Sequence, residues 1–220
     1  AQIDLSKVRL ERLGYFKGVE VETPQVPGTD DQIDVEFAVE EQPSGAISGT
    51  LAYSQGYGLI LGANYQQSNL QGSGNSLTVG LSYSQFQQSV NFNYYDPYFT
   101  IDGISRGYNV FFRRLDYDAR NIARYSTDSA GVGVTFGFPI GETQRINFGL
   151  NIEHTEIREG FAAAQEISEF IDRNGPDALN FKANLSWIRS TLNRGVFADR
   201  GSSQSVGATI SAPGSDLEFY

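Results

Sequence analysis

The sequence predicts an all-β fold, an antiparallel transmembrane β-barrel of about nine strands preceded by a short α+β segment. Three observations carry this expectation. Within the stretch from Ser76 to Val110, Leu77, Val79, Leu81 and Tyr83 alternate with Ser76, Thr78, Gly80 and Ser82, and Val90, Phe92 and Tyr94 alternate with Ser89, Asn91 and Asn93. A period of two marks strands with one apolar and one polar face. The polar face holds Ser, Thr, Asn and Gly, whereas a soluble sheet carries Lys and Glu outward. Tyr94, Tyr95, Tyr98 and Phe99 then crowd the strand end, as aromatic residues do at the margin of a membrane barrel.

Composition agrees with many strands. The 220 residues include 24 Gly, 12 Tyr and 15 Phe, with no Cys and no Met. No apolar run reaches the roughly 18 residues of a membrane-spanning helix. The opening AQIDLSKVRLERLG carries charges where a secretory signal has its apolar core, so the chain reads as cytosolic or as a mature or truncated piece. Without cysteine there is neither a disulfide framework nor a thiolate zinc site. A net charge of −10 argues against nucleic acid as a partner.

The chain divides at residue 43. In 1–43, Asp4–Leu13 reads as a helix stopped by Gly14, with Leu5, Val8 and Leu13 on one side. Strands follow at Gly18–Thr23 and Gln32–Glu41, separated by a turn containing Pro24, Pro27 and Gly28. In the second, Ile33, Val35, Phe37 and Val39 oppose Asp34, Glu36 and Glu40, the charged-out pattern of a soluble sheet. In 44–220 the polar face loses most of its charge. Strands are expected at Ile47–Ser54, Leu59–Gln66, the two runs of the opening stretch, Gly107–Arg114, Ala130–Phe138, Arg145–Glu153, Ala178–Arg189 and Ser203–Ala212. Ala119–Asp128 reads as a polar loop and Pro139-Ile140-Gly141-Glu142 as a turn. Gly160–Gly175 reads as a long loop with a short helix, since Ile167, Phe170 and Ile171 are spaced at three and four. Short Gly-rich turns and longer polar loops are expected to alternate, and Ser215–Tyr220 reads as the start of another strand.

On this reading Leu77, Val79, Leu81, Phe92, Val132, Val134, Phe148 and Leu185 face lipid, and Tyr94, Tyr95, Tyr98, Phe99 and Trp187 lie at the membrane interface. A soluble β-sandwich or ligand-binding barrel with these apolar residues inside remains the alternative. No reactive constellation emerges, so no enzyme and no cofactor is expected. His154 is the only histidine, and neither Asp30-Asp31 nor Asp116-Tyr117-Asp118 has a loop-closing Glu for calcium. The glycine-rich stretches lack the Lys-Ser or Lys-Thr of a phosphate loop.

Arg12-Leu13-Gly14-Tyr15-Phe16 with Pro27-Gly28-Thr29-Asp30-Asp31 resembles the second half of a POTRA module. Asn91-Phe92-Asn93-Tyr94-Tyr95-Asp96-Pro97-Tyr98-Phe99-Thr100, Asp102-Gly103, Gly137-Phe138-Pro139-Ile140, Asn193-Arg194-Gly195-Val196-Phe197 and Pro213-Gly214-Ser215-Asp216 follow. In these segments and their order the chain resembles the Omp85 family of bacterial outer-membrane proteins. The resemblance implies the C-terminal part of a POTRA module at 1–43 and the N-terminal half of a barrel at 44–220. It implies an assembly factor that inserts client barrels into the outer membrane, with 1–43 in the periplasm. Client outer-membrane β-barrel proteins, accessory lipoproteins and outer-membrane lipid would be its partners. The second half of the family's barrel, with its Val-Arg-Gly-Phe motif, is not in the chain, and Phe197-Ala198 stands where the family has Phe-Pro. The piece reads as cut at both ends and inactive alone. A porin or two-partner secretion channel is the membrane alternative. The first barrel strand, Gly45-Ala46-Ile47-Ser48-Gly49-Thr50-Leu51-Ala52-Tyr53-Ser54, is expected to be a weakly paired edge that templates a client strand.

Overall fold

A computed structural model describes residues 2–12, 15–29, 31–120, 122–161, 163–192 and 199–216. An α+β unit comes first. Helix α1 (Gln2–Arg12) packs against strand β1 (Phe16–Glu22), which pairs antiparallel with β2 (Glu36–Glu41). Val19 opposite Val39 and Val21 opposite Phe37 form the apolar side of this ribbon, and Val19 is buried. Across the other side, Lys17 bonds Glu40 at 2.7 Å in an exposed pair. Ile33 lies outside β2, in an isolated bridge to Gln25.

The rest is one antiparallel meander of nine strands. They are β3 (Gly45–Ser54), β4 (Gly58–Gln67), β5 (Ser76–Tyr83), β6 (Gln87–Asp96), β7 (Ser105–Asp116), β8 (Tyr125–Gly141), β9 (Gln144–Glu159), β10 (Asp177–Ser190) and β11 (Ser203–Ser211). Each pairs with its sequence neighbours, and β3 and β11 are the two edges. Side chains directly opposite in an antiparallel ladder lie on one face. Following such pairs from Ile47 gives Tyr65, Val79, Phe92, Val110, Val132, Ile152 and Phe181, one apolar row from β3 to β10. Following Asn64 gives Gly80, Asn91, Phe111, Gly131, Glu153 and Asn180 on the other face.

Burial on this sheet is inverted relative to a soluble protein. Ser105, Ser129 and Asn180 are buried, whereas Leu51, Leu81, Val132, Leu150, Leu185 and Val206 are exposed. The sheet is therefore concave on its polar side. That side bonds to itself: Lys182 reaches Glu153 at 2.5 Å, Ser129 meets Thr155 at 3.2 Å, and Thr209 donates to Asn184 at 2.7 Å. Small residues let the wall curl inward. At Gly131 a Cβ would sit 2.6 Å from the Phe111 ring and 2.9 Å from the Ile152 carbonyl oxygen.

Several elements differ from the expectations. The region 119–128 is a loop only as far as residue 124, because β8 begins at Tyr125 and pairs Ser126 with Arg158 and Asp128 with Glu156. At the other end β8 runs on through Pro139 to Gly141 by a register shift, so the turn is only Glu142-Thr143. A bulge accommodates proline's missing donor. Long and short connectors do not alternate. Connectors 68–75, 97–104 and 191–202 lie at the end of the sheet that carries Gly45, with the tight 142–143 turn beside them. The other end has short turns at 55–57 and 84–86, then 117–124 and 160–176, which carries α2 (Gln165–Asn174). Pro213–Asp216 does not continue β11; it folds back on β10, where Ser215 Oγ and Asp216 Oδ2 accept from the backbone N–H groups of Phe181 and Leu179. The helix stop at Gly14, Asp30, the Asn193–Phe197 motif and Leu217–Tyr220 lie outside the described residues.

Close approach at Gly131 makes a specific expectation. Gly131→Ala lowers stability by about 1–3 kcal/mol in a urea titration in lipid vesicles. Gly49→Ala, whose new methyl meets nothing nearer than the Gly62 carbonyl oxygen at 3.9 Å, changes it by less than about 1 kcal/mol.

Candidate functional site

The arrangement that can do something lies in the sheet itself: two faces of opposite chemistry, an edge strand, and a polar tie to the N-terminal unit. No group of His, Asp and Glu side chains able to hold a metal occurs among the described residues.

All eight residues expected to face lipid share the convex face. Leu77 opposes Tyr94, Val79 opposes Phe92, Leu81 opposes Val90, Val134 opposes Tyr108 and Leu150, and Phe148 opposes Leu185. Val132 continues the same row between Val110 and Ile152. Among the described residues no second sheet packs on this face. On β7 the convex face reads Arg106, Tyr108, Val110, Phe112, Arg114. The two arginines are separated by about 26 Å along the strand, or roughly 20 Å along a barrel axis at a tilt of about 40°. The apolar band between them suits the hydrocarbon thickness crossed by outer-membrane barrels.

Both margins of that band are polar. At the end away from Gly45, Asp128 is buried and held by Arg114 through two hydrogen bonds, the Nε one at 2.6 Å, and by Arg158 at 3.1 Å, which also bonds Glu156. This cluster extends β8 and β9 beyond the apolar band. An aromatic row lies at the same end, where Tyr57 meets Phe86 at 5.8 Å, Phe86 meets Tyr117 at 5.7 Å, and Tyr117 meets Tyr125 at 4.7 Å. It joins two hairpin turns to the 117–124 connector. The sequence reading missed it, although one aromatic in each successive connector is a visible signal.

The expected interface aromatics gather at the Gly45 end, with one correction. Tyr94 stacks on Tyr108 at 6.3 Å on the convex face, Phe99 folds back over Phe136, and Trp187 donates to Gln144 at 3.1 Å. Tyr98 is exposed in the 97–104 connector. Tyr95 lies on the concave face instead, where its hydroxyl accepts from Arg145 at 2.6 Å. Consecutive strand residues point to opposite faces, so Tyr94 and Tyr95 cannot share one.

Among the described residues strand β3 is bonded on one side only, to β4, over its whole length from Gly45↔Gln67 to Ser54↔Gly58. Gly45, Ala46, Ile47, Ser48, Gly49, Thr50, Leu51, Ala52 and Tyr53 are all exposed and Ser54 is half-buried. Packing does not require its glycine at 49, where a Cβ would make only an ordinary contact with the Gly62 carbonyl oxygen at 3.9 Å. The base of this strand is tied down. Ser44 Oγ accepts from Gln67, and the Ser44 carbonyl accepts from the Ser68 N–H at 2.7 Å. Tyr15, at the start of the N-terminal ribbon, accepts from the Gln42 N–H at 3.0 Å and donates its hydroxyl to the Gly74 carbonyl at 2.6 Å. Burial raises its pKa, with Tyr98 and Tyr95 adding to the effect, so the hydroxyl keeps its proton and remains a donor.

The Omp85 superfamily domain matches residues 69–220. The chain belongs to the Omp85 superfamily. This Omp85 chain is 31% identical to the outer membrane protein assembly factor BamA of Neisseria meningitidis serogroup B, with all of the chain and 29% of that protein covered. It is 26% identical to BamA of Nitratidesulfovibrio vulgaris, covering 88% of the chain and 23% of that protein. The crystal structure of BamA from Haemophilus ducreyi lacking POTRA domains 1–3 superposes with a TM-score of 0.73 at 31% identity, over 98% of the chain and 43% of that structure. The chain thus spans less than a third of the length of these two curated relatives. The antiparallel barrel wall is the fold of the family, as the sequence predicts.

The convex face of the Omp85 wall sets an asymmetric expectation. Val134→Arg, in mid-band between Tyr108 and Leu150, costs about 2–4 kcal/mol of folding free energy in vesicles. Thr135→Arg on the concave face costs much less. Equal penalties in a denaturant titration would contradict the assigned facing.

Proposed function

We propose that this chain is the part of an outer-membrane protein assembly factor that carries the first strand of its barrel, and that β3 templates the incoming strand of a client barrel. The observation that carries the reading is the one-sided bonding of Gly45–Ser54. An exposed strand edge presents a row of N–H and C=O groups to which another strand can add. The BamA names of the relatives support assembly as the activity. The N-terminal unit is then the end of a POTRA module, lying in the periplasm at the Gly45 end of the barrel. The 160–176 connector opens at the outer surface. Leu77, Val79, Leu81, Phe92, Val132, Val134, Phe148 and Leu185 meet lipid. Client outer-membrane barrels and accessory lipoproteins are the protein partners.

Main-chain pairing predicts how the edge responds to change. Exchanging Ser48, Thr50 or Ala52 for other polar or small residues leaves client binding little altered, because the side chains do not carry it. Proline removes the donor at its own position. In the full-length protein, single prolines from Ile47 to Tyr53 should reduce crosslinking to a client's strand at alternate positions, those whose N–H points away from β4. A scan in which no proline reduces crosslinking rejects β3 as the template.

A further inference from the structure

On the convex face at the Gly45 end stands one arginine whose surroundings do not satisfy it. Arg106 is the second residue of β7, opposite Asp96 on β6 and Phe136 on β8. Its guanidinium carbon lies 3.8 Å from the Phe99 ring centre and 5.2 Å from that of Tyr108. Its Nε is buried and has no hydrogen-bond partner within the protein. The Asp96 carboxylate is 3.8 Å away, beyond hydrogen-bond reach, and its other oxygen already accepts from the Tyr98 N–H at 3.1 Å. A buried Nε donor without an acceptor is costly, and a cation held between aromatic rings is presented in one plane. Both side chains keep an open portion, 26% for Arg106 and 16% for Asp96.

We infer that Arg106 and Asp96 form a phospholipid headgroup site at the inner-leaflet margin of the barrel, taking a zwitterionic phosphodiester that bears a primary ammonium. The phosphate oxygens accept from Arg106, for which a planar guanidinium is suited. The ammonium pairs with the Asp96 oxygen that faces Arg106. Tyr94, Phe99 and Tyr108 form the aromatic surround at the depth where headgroup and acyl chain meet. The site thus marks a lipid that lies against β6 and β7, away from the β3 edge. The inference rests on the convex face being the lipid face, as proposed above.

The test uses the full-length protein in nanodiscs of phosphatidylethanolamine and phosphatidylglycerol in equal amounts, with native mass spectrometry of the lipids retained on release. The unaltered protein should retain phosphatidylethanolamine above its bulk share. Arg106→Gln should reduce that retention roughly tenfold, the size of one lost charge-assisted hydrogen bond. Arg106→Lys keeps the charge but loses the plane and should fall between. Asp96→Asn should keep phospholipid bound but abolish the preference for ethanolamine. Unchanged retention in Arg106→Gln, a lipid profile that simply follows the bilayer, or displacement by added inorganic phosphate would each overturn the site. A protein that enters no nanodisc at all would instead refute the lipid-facing assignment on which the inference rests.

Discussion

A backbone inside hydrocarbon has no water to bond to, so every spanning strand must pair on both sides or lie at an edge that something else completes. Seven of the nine strands meet this demand within the chain, since β4 to β10 each have two ladder neighbours. The demand then falls on β3 and β11. Pro213–Asp216 occupies donors of β10 beyond the end of the β11 ladder and so does not complete the outer edge of β11. No described residue completes the outer edge of β3 either. The same constraint that makes the wall stable leaves the outer groups of its first strand unpaired, and the proposed templating needs no special side-chain chemistry.

Because backbone pairing joins the strands, the side chains can sort by their surroundings. The convex face takes the apolar residues and the concave face takes Asn, Ser, Thr and Gly. Curvature follows from size as well as polarity, since Phe111 occupies the space that a side chain at position 131 would need. Charges collect where the apolar band stops. Asp128 with Arg114 and Arg158 ends it on one side, and Arg106 with Asp96 ends it on the other. The N-terminal unit joins this frame through the Tyr15 hydroxyl, which donates to the Gly74 carbonyl.

Much of this is legible in the residues themselves, because period two survives wherever the two faces of a strand meet different surroundings. Leu77 to Tyr83 and Val132 to Phe138 declare their faces without any tertiary information. Tyr125–Asp128 does not, because that extension lies past the apolar band. An ion cluster from three strands makes it a strand, and partners from distant sequence leave no local period. Pro139 misleads for a related reason: it punctuates the sequence as a turn, yet a register shift absorbs it inside β8. Tyr95 is assignable by parity from Tyr94, since consecutive strand residues face opposite sides. Arg106 interrupts an apolar face and is visible as such, but its unmet Nε donor lies under the Phe99 ring, which only the folded connector reveals.

The central claim is that the convex face lies in lipid and the concave face in water. The chain has no cysteine of its own, so single cysteines can be placed along its strands. In the full-length protein, with any other cysteine replaced, a fluorophore attached at each position from Ala130 to Phe138 in vesicles can be quenched either by brominated lipid or by a water-soluble quencher. Lipid quenching should dominate at Ala130, Val132, Val134, Phe136 and Phe138, and aqueous quenching at Gly131, Gly133, Thr135 and Gly137. Quenching without alternation, or with the two sets exchanged, would contradict the inverted sheet and everything built on it.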